Sequence, residues 1–230
     1  HISWEPVISI YFKETNPQIA YDNDSGRIFI ATADSLITYS VATDIISRVK
    51  TNKGAPFRCG GGSALLYDKE RNCLISYSTQ FPDLNIYNFQ TQSWSGSGTE
   101  ILPPIQQHNH FIDYKNHKLV LFGGYGMHQY KANLIVRDLF DGTWKTTDLK
   151  TQIMPRYLSA AGLYEDSVLM VMGGYGSPSG KQEELPQNLY DLYKIDYPNA
   201  QCEKVTNFTI AGDPIAMGNS LLIDKNKHTV

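Results

Sequence analysis

Cysteine is scarce in this sequence. Cys59, Cys73 and Cys202 are the three in 230 residues. So few, so scattered, they build neither a disulfide framework nor a zinc site, and an odd count leaves at least one thiol free. The plain reading is three small buried hydrophobes. Long apolar runs are missing too: the longest reach about six residues, against roughly twenty for a membrane-spanning helix. Charged residues make up only 19% of the chain and the net charge is −3. No basic stripe is left to hold a nucleic-acid backbone. No Gly-x-Ser-x-Gly elbow, phosphate-binding loop or dinucleotide fingerprint occurs. The expectation is no cofactor, no bound metal, no catalytic constellation and no membrane segment.

What the chain does have is aromatic surface. Aromatics reach 12%, fifteen of them Tyr, and hydrophobic residues 41%. That is enough apolar material for a core. Flat and β-branched side chains suit a pleated, half-buried sheet.

The strongest signal is internal repetition. Leu119-Val120-Leu121-Phe122-Gly123-Gly124-Tyr125-Gly126 matches Leu169-Met170-Val171-Met172-Gly173-Gly174-Tyr175-Gly176 at an offset of 50, and Tyr114/Tyr164 and Trp94/Trp144 keep that offset. Tyr21-Asp22 and Tyr67-Asp68 extend the register, each leading through a polar turn into an apolar run. Leu36 and Tyr39 recur as Leu84 and Tyr87. A further copy opens at Leu221-Leu222-Ile223, delayed by the polar insertion from Ser177 to Gln187. Each unit offers short strands broken by Asn, Asp and Gly turns, which is antiparallel meander chemistry. One such sheet cannot bury both faces alone, so successive units must stack.

A period near fifty with a double glycine after a short apolar strand resembles the kelch repeat. Within that family the units are similar to blades of the galactose oxidase central domain. The resemblance implies an all-β, kelch-type β-propeller: four complete blades at 13–54, 55–102, 103–153 and 154–212, with 1–12 and 213–230 in incomplete ones. The chain opens at His1-Ile2-Ser3 without Met, with Trp4 as an outer-strand residue, and stops at His228-Thr229-Val230 inside a second strand. The expectation is therefore a piece of a larger propeller, the alternative being a ring that lacks part of its closing blade. The Gly-Tyr-Gly turn and the polar insertion before Asp191-Leu192-Tyr193 are similar to extracytoplasmic sensor regions of large bacterial regulators. That likeness implies a periplasmic or extracellular location.

The meander geometry also says where a ligand would sit. In a four-stranded up-and-down sheet, the link into the next unit shares a face with the loop between strands two and three. The inner strands open at Phe57-Arg58, Ile105-Gln106, Pro155-Arg156 and Pro214-Ile215. The loops are Thr79 to Leu84, Tyr125 to Ala132 and Tyr175 to Gln187. Long loops on a rigid scaffold carry binding. Tyr and Arg are favoured at recognition sites for their broad area and rigid donors. The expected ligand-binding set is Arg58, Arg156, Tyr125, His128, Tyr130, Lys131, Tyr175 and Lys181. For the two arginines, pairing inside the fold is the competing role. The expected activity is non-enzymatic recognition of a protein segment or carbohydrate. The alternative is a sugar-modifying enzyme of oxidase or epimerase type.

Catalytic candidates are thin. His108 and His110 share a strand face, but Asp113 has the opposite parity, so they make at most half a metal site. Galactose oxidase chemistry needs a copper site with a Cys cross-linked to a ligating Tyr, and none of the three cysteines has such a context. Asn23-Asp24-Ser25 and Asn207-Phe208-Thr209 match the short N-glycosylation pattern.

Overall fold

The computed structural model describes residues 6, 8–11, 17–57, 60–81, 84–96, 105–165, 167–218, 221 and 223. Trp4, Arg58, Cys59 and His228 to Val230 lie outside these, and so do the expectations that rest on them. The described residues form antiparallel sheets with no α-helix, and therefore no helix long and apolar enough to cross a membrane.

The first sheet runs β1 (Gln18–Asp22), β2 (Arg27–Ala31), β3 (Ser35–Ser40), β4 (Ile45–Lys50) in chain order. The second repeats it with β5 (Ser63–Asp68), β6 (Cys73–Ser78), β7 (Asn85–Asn88) and β8 (Ser93–Ser95). The third uses β9 (Asn109–Asp113) and β10 (Lys118–Phe122). A two-residue ribbon follows, β11 (Tyr125–Gly126) with β12 (Gln129–Tyr130), and then β13 (Leu134–Asp138) and β14 (Trp144–Thr147). In the fourth the inner strand is split into β15 (Arg156–Tyr157) and β16 (Ala160–Glu165), followed by β17 (Val168–Gly176), β18 (Gln187–Asp196) and β19 (Gln201–Asn207). Successive sheets meet along their innermost strands, β1 on β5, β5 on β9 and β9 on β16. This is the stacked meander of a β-propeller.

The core is laminated, one layer per seam, and strand alternation assigns each side chain to its layer. On β6, Leu74 points to the first sheet, joining Phe29, Ala31 and Leu36. Its neighbours Ile75 and Tyr77 point to the third, meeting Ile112, Leu119 and Leu121. On β10 the alternate residues Val120 and Phe122 face the fourth sheet, against Leu169, Val171 and Ile195. Each fully buried aliphatic or Phe side chain contributes roughly 1.5–3 kcal/mol of burial free energy.

In the first three sheets the turns at one end are closed by the carboxylate that ends the inner strand. Asp22 accepts the backbone amides of Asp24 and Ser25, Asp68 those of Glu70 and Arg71, and Asp113 that of Asn116. Left-handed residues follow at Gly26, Asn72 and His117. Asp113 is buried and also receives the Tyr197 hydroxyl from the next sheet.

The outer-strand tryptophans differ in depth. Trp94 is buried on Tyr87. Trp144 is half-buried: it leans on the Tyr77–Leu119–Leu121 layer, with the Arg137 guanidinium 5.2 Å from its ring centroid. Cys73 and Cys202 are free and buried, and burial pushes both thiols up to about 11.

Candidate functional site

The opposite end of the sheets carries the links and the second-to-third-strand loops. It is built around the double glycines. Gly124 and Gly174 take φ of +100° and +113°, a backbone region that side chains rarely occupy. A Cβ on Gly124 would lie 2.9 Å from the Gln106 carbonyl oxygen, and one on Gly174 2.8 Å from that of Tyr157. The glycines thus let each second strand bend over the inner-strand start of its own sheet.

Backbone bonds within and between the sheets then fix the loops. Gln106 and Tyr125 exchange hydrogen bonds of 2.8 and 2.9 Å. The Arg156 amide donates to the Lys131 carbonyl at 2.9 Å, and the Gly124 amide to the Arg156 carbonyl at 2.9 Å. The β11–β12 hairpin of the third sheet is also bonded to the 177–187 insertion of the fourth. The Tyr130 amide donates to Gly180 at 2.6 Å, the Gln182 amide to the His128 carbonyl at 3.3 Å, and the Tyr125 hydroxyl to the Gln182 side chain.

This frame gathers four tyrosines. Tyr130 lies 5.4 Å from Tyr125, 5.5 Å from Tyr157 and 6.0 Å from Tyr175, centroid to centroid. Tyr157 stacks on Tyr130 and stands 5.7 Å from Tyr125 and 6.0 Å from Tyr175. Tyr130 is the buried centre, and burial, with the neighbouring hydroxyls, raises its phenol above the ordinary range. The other three are half-buried. Such a cluster offers ring faces for stacking and hydroxyls for hydrogen bonding.

A groove of about 990 Å³ adjoins the cluster along the seam between the third and fourth sheets. Tyr130, Met127, Ile153, Met154, Lys131 and Asp148 are among its lining residues. Among its described lining residues, Lys131 and Asp148 are the one cation and one anion, and the Lys131 ammonium donates to the Gln129 side chain at 2.9 Å.

Of the expected site residues, Tyr125, Tyr130 and Tyr175 meet in the cluster, and Lys131 lines the groove. His128 and Lys181 are exposed on the same face. The Lys181 amine is held at 2.8 Å by Glu184, which raises the lysine and lowers the carboxyl. Arg58 falls outside the described residues. Arg156 takes the other role expected of it, pairing inside the fold. It is 0% exposed, and its guanidinium is spent inside the fold: to Asp191 at 2.6 and 3.2 Å, and to the Gly173 and Met154 carbonyls at 2.9 Å each. It lies 5.2 Å from the Tyr193 ring. A buried guanidinium must fill its donor fork, and here backbone and Asp191 fill it. Arg156 therefore supports the face from beneath.

Tyr157 was missed from sequence. It directly follows Pro155-Arg156, at the inner-strand start already placed on this face, so the signal was one residue away.

The histidine pair sits elsewhere. His108 Nε2 and the Tyr77 hydroxyl are 2.6 Å apart in the second-to-third seam, and His110 stands edge-on to Tyr77. Burial lowers His108 to about 3, with His110 adding to the shift, and burial lowers His110 to about 4. Both are neutral at pH 7. Among the described residues, no group of three His, Cys, Asp or Glu side chains gathers to hold a metal ion.

The family model described as the KLHDC2/KLHL20/DRC7 Kelch-repeats domain matches residues 22–227. No curated protein matches the chain.

Proposed function

The chain belongs to the kelch-repeat family, and we propose that this protein-interaction propeller acts by recognition rather than catalysis, taking an extended protein segment across its tyrosine face and into the adjoining groove. The observation that carries the reading is the convergence of Tyr125, Tyr130, Tyr157 and Tyr175 from two sheets onto one face. Tyrosine gives a partner a large contact area with few rotors to freeze, and it dominates interface energetics elsewhere. Long side chains of a partner would enter the groove, while the rings and their hydroxyls hold its backbone and flat groups. His128, Lys131 and Lys181 supply polar contacts at the rim. Tyrosine faces also suit the apolar face of a sugar ring, so a carbohydrate is the second reading.

Selection of a displayed random-peptide library against the domain tests this, with a glycan array run in parallel. Peptides should emerge whose affinity falls at least tenfold in the Tyr125→Ala/Tyr157→Ala variant, the usual weight of hot-spot aromatics. The melting temperature of that variant should stay close to wild type. Selected peptides that bind the variant undiminished would move the site off this face. Saturable glycan binding without peptide binding would favour the sugar reading.

A further inference from the structure

The hairpin that carries Tyr125 and Tyr130 turns in two residues, Met127 and His128. Tyr125 pairs with Tyr130 and Gly126 with Gln129, so these two are the whole connection. Both have positive φ, 52° and 61°. That is the type I′ turn, whose two left-handed positions are normally filled by Asn-Gly, Asp-Gly or Gly-Gly. Histidine visits the left-handed region more readily than most side chains, but methionine is not among the residues that favour it. The chain puts glycine at the two strained positions four residues earlier, Gly123 and Gly124, and withholds it here.

Nothing in the packing asks for these side chains. Met127 is 67% exposed and His128 is exposed too, so neither side chain is stabilised by a core. The two-residue connection calls for this conformation, and the Tyr130–Gly180 and Gln182–His128 backbone bonds to the neighbouring sheet hold the hairpin in it. Strain held by its surroundings at an exposed tip marks a place where side-chain identity serves something other than the fold. Two other large apolar residues with positive φ, Leu158 and Leu185, lie on this same face, and Leu185 is 83% exposed.

We propose that Met127 and His128 are specificity-determining contacts for a protein partner, and that the partner presents an uncharged apolar side chain to the groove between Met127 and Met154. This rests on the tyrosine-face reading and deepens it. The groove chooses the partner's chemistry: among its described lining residues the single cation, Lys131, is offset by the single anion, Asp148, so these present no net charge for a charged segment to answer. Met127 and Met154 both line it. Unbranched thioether side chains adapt to aliphatic and aromatic shapes alike. His128, at the tip, adds a donor or acceptor to the partner's backbone beside that anchor.

The test replaces the turn with the residues its backbone prefers. Met127→Asn/His128→Gly relieves both left-handed positions, so the melting temperature should rise by roughly 2–6 °C for a chain of this size. The probes are the peptides selected on the wild-type domain, and their consensus should carry an uncharged apolar anchor. Their affinity should fall at least tenfold in this more stable variant. A rise in melting temperature with unchanged affinity, while Tyr125→Ala/Tyr157→Ala loses binding, would overturn the role given to Met127 and His128 and leave the tyrosine face standing. Unchanged affinity in both variants would overturn both. A fall in melting temperature would refute the strain on which the inference depends, and a charged consensus anchor would refute the partner chemistry.

Discussion

Removing Asp191's charge should cost the domain more than any surface substitution. Asp191→Asn keeps the side chain's shape and one oxygen, but the Arg156 guanidinium then stays fully buried with no anion. Its remaining acceptors are the Gly173 and Met154 carbonyls and the amide oxygen of the new side chain. Breaking a buried ion pair from one side typically costs about 3–5 kcal/mol, because the abandoned charge cannot reach water. For a chain of this length each kcal/mol lowers the melting point by about 2–4 °C, so a fall of roughly 10 °C is expected. Circular dichroism melts and urea midpoints would read it. Arg156→Met/Asp191→Leu supplies the internal check: with both charges gone it should lie closer to wild type than Asp191→Asn does, short of it by the two orphaned carbonyls at about 1 kcal/mol each. If Asp191→Asn melts within about 2 °C of wild type, a shift too small for a buried, unpaired charge, the guanidinium does not depend on its carboxylate and the support assigned to it is wrong.

Acid should also destabilise the fold through the histidine pair. His108 and His110 titrate at about 3 and 4 in the folded chain and near 6.5 unfolded, so below pH 6.5 the unfolded state binds protons that the folded state refuses. Their contribution is complete above pH 6.5 and is lost as the pH falls toward 4, at roughly 1.4 kcal/mol per pH unit for each histidine. Urea titrations at pH 7 and pH 5 would show it, His108→Phe should flatten the dependence, and equal midpoints at both pH values would contradict the buried neutral assignment. Gly174→Ala should lose about 1–3 kcal/mol from its left-handed backbone and more from the Tyr157 carbonyl 2.8 Å away. Gly212→Ala, at φ +101° with nothing within 4 Å of the added carbon, should show the backbone share alone; equal urea midpoints for the two variants would remove the close-approach argument.

The repeat was legible because the physics that shapes one blade shapes all of them. The turn carboxylate, the apolar second strand and the double glycine each answer a local demand, and local demands leave local patterns. The placement of Tyr125, Tyr130, Lys131 and Arg156 at one end followed from strand parity alone. What parity could not say was direction within that end. Arg156 begins an inner strand just as Gln106 does, but only in the fourth sheet does Asp191 stand opposite to draw the guanidinium inward. That pairing joins residues 35 apart, and no short-range pattern encodes it. Trp144 illustrates the same limit. It keeps Trp94's place in the repeat, yet the residue paired with it across the sheet is Arg137, where Trp94 has Tyr87, and the two tryptophans differ in depth.

The hydrogen bonds between the β11–β12 hairpin and the 177–187 insertion also bear on how this face can diversify. In most repeat folds one unit's loop can lengthen or shorten while its neighbours stay as they were. Here Tyr130 and His128 lean on Gly180 and Gln182 of the following unit, so the two loops inherit as a pair. A deletion in the insertion would strip the hairpin of the contacts that hold its left-handed turn, and a longer hairpin would lose its register on the insertion. Lineages of this chain are therefore free to change the side chains on the face one at a time, but must change the lengths of these two loops together.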